Sequence, residues 1–395
     1  MYSSYIKNPK EPLLGPNIFW LKFWGIIQPK RTIPKLLYLF IQTVSILFGL
    51  TEFIELYFVK DDINLLINNL KISITAAVSV YKIINFLMYQ EKWLDLLDYA
   101  NRVEIRDREA SKTHLEMKPI INEYTKYSRR FSYTYWILVI ITVILLILQP
   151  ILKYTISSTY RYNVKNGIEP YEQIVSSWVP WDKNTLSGYI ISYIYQVVVA
   201  VYALGLLMTF DSVAVVLMVF FGGQIDLLKC RCVRIFDAED EELVRKYAKL
   251  YDSLLSPVMF LFMFVCSVDL CASAFQIFAD IVPMQKFLTA EYLVFQISQL
   301  FVYCWHSNKV FYKSECLSRS PYEGNWYSKK TTLGKDIIIF TTSLKKNIIF
   351  TAGPFVNLTI PTFINVSFFL MLLVFFVTRH MTVPRLMLSR SVVHE

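Results

Sequence analysis

Charge is what this 395-residue chain has least of. Only 18% of its residues are Asp, Glu, Lys or Arg, against about 25% in an ordinary soluble domain. The shortage is local. Lys346 and Arg379 enclose 32 residues with no charged side chain, Lys183 and Asp211 enclose 27, and Arg130 and Lys153 enclose 22. A helix crosses the hydrocarbon core of a bilayer with about 20 apolar residues. Runs of this length exclude an ordinary soluble enzyme, and 55% apolar content excludes a disordered chain. Eleven glycines and fifteen prolines exclude low-complexity and collagen-like sequence.

Catalytic and cofactor signatures are missing too. There is no phosphate-binding glycine loop, no dinucleotide fingerprint, no His-Glu-x-x-His and no Gly-x-Ser-x-Gly. His114, His306, His380 and His394 are scattered. Cys230-Arg-Cys232 has no second Cys/His pair near it and does not make a zinc site. We expect no enzyme activity, no catalytic residues, no metal, no cofactor and no nucleic-acid partner.

What is present reads as an all-α membrane protein with seven transmembrane helices. The expected spans are 33–59, 65–90, 131–152, 186–210, 254–279, 291–306 and 353–378. The second is interrupted by Lys71 and Lys82, which a tilted helix can accommodate if their amines snorkel to the interface. Residues 1–32 are basic and hold Phe19, Trp20, Phe23 and Trp24, too short a stretch for a span, so an interfacial or re-entrant helix is expected.

Lys and Arg set the orientation. The N-terminal arm and the second, fourth and sixth connections hold 29 of the forty, and the opposite side holds ten. This predicts a cytosolic N-terminus and, with seven spans, an extracellular C-terminus. The six cysteines all fall in membrane or predicted cytosolic segments, so no extracellular disulfide framework is expected.

The predicted organisation is an arm over 1–32, spans one to four over 33–221, spans five and six with cytosolic anchor helices over 222–350, a pore-lining half-helix over 351–379, and an extracellular tail over 380–395. Within the anchor region Leu243, Tyr247, Leu250, Tyr251 and Leu254 recur at helical spacing and must pack on a cytosolic partner surface. A cytosolic helix is expected from about Trp326 to Phe350. In the last span, Asn357, Pro361, Asn365, Phe368, Leu372 and Phe375 are spaced 4, 4, 3, 4 and 3 and share one helical face. Periodicity leaves two readings of that face open: a pore lining with an apolar constriction, or helix packing through small polar residues.

The segment from Phe301 to Tyr327 resembles the C-terminal signature of insect odorant receptors, through Tyr303-Cys304, Asn308, Ser314, Tyr322 and Trp326-Tyr327. Thr351-Ala-Gly-Pro-Phe355, Thr362-Phe363 and Trp178-Val-Pro-Trp-Asp182 look like the same family. The resemblance implies a ligand-gated non-selective cation channel in which four subunits surround one pore. It implies assembly of an odorant-specific subunit with a shared olfactory co-receptor in the plasma membrane of olfactory sensory neurons, held among membrane lipid. The co-receptor carries a long insertion between spans four and five; only about 30 residues separate Gly222 from Asp252 here, which indicates a tuning subunit. By the same resemblance the gate maps to Met371 and Leu372. The odorant pocket maps to Val78, Tyr81, Leu146, Gln149, Tyr193, Gln196, Tyr292 and Phe295, an apolar and aromatic set suited to a small volatile ester, alcohol or aldehyde. The alternatives are a gustatory-type ligand-gated channel, whose aromatic-Gln-Phe signature is absent from the last span, and a seven-span metabotropic receptor, whose Asp-Arg-Tyr and Asn-Pro-x-x-Tyr motifs are absent from spans three and seven.

Overall fold

The computed structural model describes residues 13–29, 31–60, 63–232, 238–278, 283–323, 341, 346–368 and 372. Nearly all of it is helical. The elements are α1 (Gly15–Phe23), α2 (Thr32–Phe58), α3 (Ile63–Met88), α4 (Gln90–Thr113), α5 (Met117–Ile156), α6 (Ser158–Lys165), α7 (Leu186–Cys232), α8 (Ala238–Phe278), α9 (Pro283–Leu317) and α10 (Ser320–Glu323). A minimal hairpin follows, β1 (Thr351–Ala352) and β2 (Val356–Asn357), paired antiparallel. Residues 360–368 are helical.

Among the described residues, five helices are long and apolar enough to cross a membrane: α2, α3, α5, α7 and α8. Their lengths exceed the need. The 47 residues of α7 extend for roughly 70 Å at 1.5 Å per residue, more than twice the ~30 Å hydrocarbon core. The bundle is built around α7. It packs along α5 and α9, while α3 and α9 both pack along α8. Burial follows this order: 89% of the most apolar window of α7 is buried, against 17% in α2 and in α5. The outer helices turn leucines, isoleucines and phenylalanines outward, as lipid-facing surfaces do.

Two poles differ in composition. One carries α4, a charged amphipathic helix whose Trp93, Leu96, Ala100, Val103 and Asp107 face inward at spacings of three and four. The stripe expected in the anchor region packs here: Tyr247 stacks on Tyr99 with centroids 3.7 Å apart, and Tyr251 and Leu254 are fully buried. Buried Asp107 accepts from Arg231 Nη2 at 2.6 Å and Gln224 Nε2 at 2.9 Å, tying α4 to α7. The other pole carries α6 and the connection 166–185. That connection is fastened to α2 by a Lys183–Glu55 ion pair at 2.9 Å and by Trp178 N donating to Thr51 O.

The N-terminal segment does form a short helix, but it is tucked into the bundle. Asn17 bridges Ser132 of α5 and Ser212 of α7, and Leu13 N donates to Glu104 Oε2 at 3.0 Å. Trp24 lies on Gly205, where an added Cβ would come 2.3 Å from the indole.

The hairpin corrects two expectations. Residues 346–350 are not helical, so no helix reaches Phe350; most of 326–345 lies outside the described residues. Asn357 belongs to β2, and helix starts only at residue 360, so Asn357 does not continue the helical face of Pro361 and Asn365. The chain turns at Gly353, whose φ of +65° favours glycine. Gly353 N donates to Ser256 O and Thr351 N to Asp252 Oδ1, and Phe350 is buried against Tyr251. These contacts dock the hairpin on α8 beside Pro257, which lies inside that helix and removes one backbone donor from it.

Candidate functional site, a polar column inside an apolar bundle

The α3 positions Lys71, Thr75, Val78 and Lys82 are spaced 4, 3 and 4 and lie on one helical face. The α9 positions Tyr292, Gln296, Gln299 and Tyr303 have the same spacing. Between them α8 presents Asp269 and Gln276, and α7 presents Asp211. Together they make a buried polar column in a bundle whose surroundings are Leu, Val, Ile and Phe.

The snorkelling expected of Lys71 and Lys82 is not what the side chains do. Lys71 is 3% exposed and Lys82 1%. Both turn inward because partners await them. Lys82 Nζ lies 2.6 Å from Asp211 Oδ1 and 5.1 Å from the Phe262 ring centroid. Asp211 also accepts from Tyr303 Oη at 2.7 Å, Tyr135 Oη at 3.0 Å and Gln299 Nε2 at 2.5 Å. One carboxylate on α7 thus takes four donors from three other helices, α3, α5 and α9. Desolvating an ion pair costs several kcal/mol per ion, and a full set of hydrogen bonds offsets that cost.

Nearer the α6 pole the column is less complete. Lys71 Nζ donates to Gln276 Oε1 at 2.5 Å. Asp269 Oδ2 accepts from Tyr292 Oη at 2.9 Å, Thr75 Oγ1 at 3.0 Å and Gln296 Nε2 at 3.2 Å. Asp269 Oδ1, Gln296 Oε1 and Ser273 Oγ are buried without a hydrogen-bond partner among the described residues.

The eight pocket residues expected from the family resemblance fall into separate neighbourhoods. Val78 and Tyr81 join the main core, and Tyr292 joins the Asp269 cluster. Phe295 packs beside Trp136, Val139 and Met208. Leu146 and Tyr193 pack with Phe48, Ile174 and Val199. Tyr193 Oη donates to Ile147 O at 2.7 Å, and Gln149 Nε2 reaches Glu172 at 3.4 Å. Gln196 Oε1 accepts from Ile174 N at 3.1 Å, while its amide donates to Gln173 and Ser177. Gln149 and Gln196 therefore hold the 166–185 connection against the bundle.

Of the expected pore residues, Asn357, Pro361, Asn365, Phe368 and Leu372 are all exposed on the single chain; Met371 lies outside the described residues. Asp211 and Asp269 were not singled out from sequence. A lone carboxylate within a hydrophobic run was the available signal, since intramembrane charges face partners or function.

Among the described residues no group of three His, Cys, Asp or Glu side chains could hold a metal ion. A groove of about 310 Å³ at the α4 pole is lined by Tyr99, Arg102, Val103, Arg106, Leu243 and Tyr247; its Arg106 is already paired with Asp240 at 2.7 Å.

Comparison with known proteins agrees with this architecture. Residues 62–371 match the family described as 7tm Odorant receptor. Odorant receptor 10 of Aedes albopictus is 23% identical over 125 residues, which are 32% of this chain and 33% of that relative; the match spans about a third of the relative's length. The structure of the insect olfactory receptor OR5 from Machilis hrabei superposes with a TM-score of 0.78 at 15% identity, covering 95% of this chain and 99% of that one. The structure of the same receptor in complex with eugenol gives a TM-score of 0.74 at 15% identity over the same shares of the chains.

Proposed function

The chain belongs to the 7tm odorant receptor family, a family of receptors and not of enzymes, and from that premise we propose that it is the odorant-binding tuning subunit of a heteromeric, ligand-gated, non-selective cation channel. Seven spans with a cytosolic N-terminus put the α4 pole in the cytosol and the α6 pole outside. Helices α2, α3, α5, α7, α8 and α9 supply the first six spans. The helix that begins at residue 360 supplies the seventh and lines the pore with Pro361, Asn365, Phe368, Met371 and Leu372, with Asn357 at its mouth. The short connection between α7 and α8 favours a tuning subunit over the co-receptor, and the co-receptor is its partner in a tetramer. Its place is the plasma membrane of olfactory sensory neurons.

One observation carries the reading. Of the residues that would face a pore, Pro361, Asn365, Phe368 and Leu372 are exposed on the isolated chain, and the helix that carries the first three leaves the docked hairpin directly. Such a face is expected to meet other subunits around a shared axis. The ligand would sit in the outer half of the bundle, among Val78, Tyr81, Leu146, Gln149, Tyr193, Gln196, Tyr292 and Phe295. That the related receptor has been solved with eugenol supports a small volatile ligand. The ligand opens the pore by binding the open state more tightly than the closed one.

The experiment is current recording from cells co-expressing the chain with the olfactory co-receptor. The expected outcome is odorant-evoked cation current that survives G-protein blockade. Replacing Met371 or Leu372 by serine is expected to change leak or permeability ratio; two unchanged variants would remove the gate assignment.

A further inference from the structure

Buried acceptors normally have donors. In the α3–α8–α9 cluster two acceptors lack them among the described residues. Asp269 is 1% exposed and Gln296 4%. The three donors to this carboxylate, from Thr75, Tyr292 and Gln296, all reach Oδ2, and Oδ1 is unpartnered. Gln296 spends its amide hydrogens on Asp269 and on Tyr292 Oη at 2.8 Å, and its Oε1 is unpartnered. The amide cannot be turned over, because its oxygen would then face the carboxylate. The two unpartnered oxygens belong to groups already in contact at 3.2 Å, so ordinary bond lengths keep them within roughly 8 Å of each other. Ser273, one helical turn beyond Asp269, adds a fully buried hydroxyl without a partner among the described residues.

We propose that Asp269 and Gln296 form the polar anchor of the ligand site, and that the ligand class it takes is a small neutral alcohol or phenol donating its hydroxyl hydrogen to these acceptors. The inference rests on the odorant-receptor reading and adds the chemistry. Esters, ethers and aldehydes bring only acceptors, which would face acceptors. A protonated amine brings donors, but Lys71 already sits over the Tyr292 ring at 5.5 Å and supplies the positive charge beside Asp269. A second cation would leave buried charge in excess. A neutral hydroxyl donates without adding charge, and its oxygen can accept from Ser273. Water has the same chemistry and is the competing occupant.

The test compares matched volatiles of equal length, a primary alcohol, its methyl ether and the aldehyde, as agonists of the full heteromer. Surface labelling is carried out in parallel. A site built to hydrogen-bond a hydroxyl discriminates strongly against analogues that lack it. The expected result is an alcohol at least about tenfold more potent than its ether or aldehyde. In Gln296→Leu the gap is expected to shrink toward unity, as the alcohol loses an acceptor and the ether no longer faces one. Asp269→Asn is the second variant, expected to weaken the alcohol selectively. Equal potency of alcohol and ether in the wild type would overturn the proposal and assign the acceptors to water. Variants that weaken both ligands equally would overturn it in favour of a purely structural cluster. Silence of the wild type toward every volatile would instead sink the odorant-receptor reading on which the proposal rests.

Discussion

The column holds two buried aspartates with opposite fates. Asp211 takes four donors on its two oxygens, one of them a lysine. Asp269 takes three donors on one oxygen and leaves the other empty. Both are almost fully buried, on neighbouring helices of one bundle. The difference separates two uses of polarity in an apolar setting. A saturated cluster fixes four helices in one register and has nothing left to offer a ligand. An unsaturated cluster is stable only because its other contacts carry it, and it retains capacity for an occupant. Buried polarity as such therefore does not mark a binding site.

This contrast can be broken most easily at Lys82. Lys82→Met leaves Asp211 charged without its counter-ion, and a lone intramembrane charge costs on the order of 3 kcal/mol. We expect a sharp fall in surface expression and in thermal stability of the purified protein. Lys82→Met combined with Asp211→Leu is expected to recover most of that loss, because replacing both members of a buried pair is often neutral. Next in size is Tyr303→Phe, which removes one of four donors to Asp211; a loss of about 1 kcal/mol is expected, the scale of intramembrane hydrogen bonds. Smaller still is Gln296→Leu. It deletes one unmet acceptor along with two hydrogen bonds, so its net effect on melting temperature is expected to stay below that of Tyr303→Phe. Equal losses from the two variants would erase the distinction between saturated and unsaturated clusters.

Glu104, at the α4 pole, sharpens the comparison by pH. It accepts from Leu13 N, Arg108 and Thr125, yet burial pushes its carboxyl above the usual value of 4.5, with Arg108 pulling the other way. A raised carboxyl binds more protons folded than unfolded, so its contribution is fullest below pH 4.5 and declines as pH rises through the folded value. Thermal melts of wild type and Glu104→Gln are expected to converge at low pH and to differ in slope above it. Parallel curves would deny Glu104 this role.

Much of the bundle was legible in the chain. Uncharged runs located α5, α7 and the final helix, and apolar spacing located the stripe that stacks Tyr247 on Tyr99. What sequence obscured was direction. Lys71 and Lys82 look like interruptions of a span because a lysine in an apolar run gives no hint of its partner, and Asp211 and Asp269 lie more than a hundred residues away. The spacing of 4, 3 and 4 in both α3 and α9 was the readable trace of the column. Helical arithmetic also overran its limits at Asn357, where a four-residue step back from Pro361 lands in a strand. Gly353-Pro354 marked a break, but a two-residue hairpin docked on α8 depends on contacts with Asp252 and Ser256 that no local pattern encodes.

Odorant-evoked current tests the central claim most directly. Cells carrying this chain and the olfactory co-receptor at the surface, recorded with G proteins blocked, are predicted to pass a non-selective cation current when a small volatile is applied, and cells with the co-receptor alone are predicted not to respond to that volatile. Verified surface expression with no current to a broad volatile panel would contradict the account.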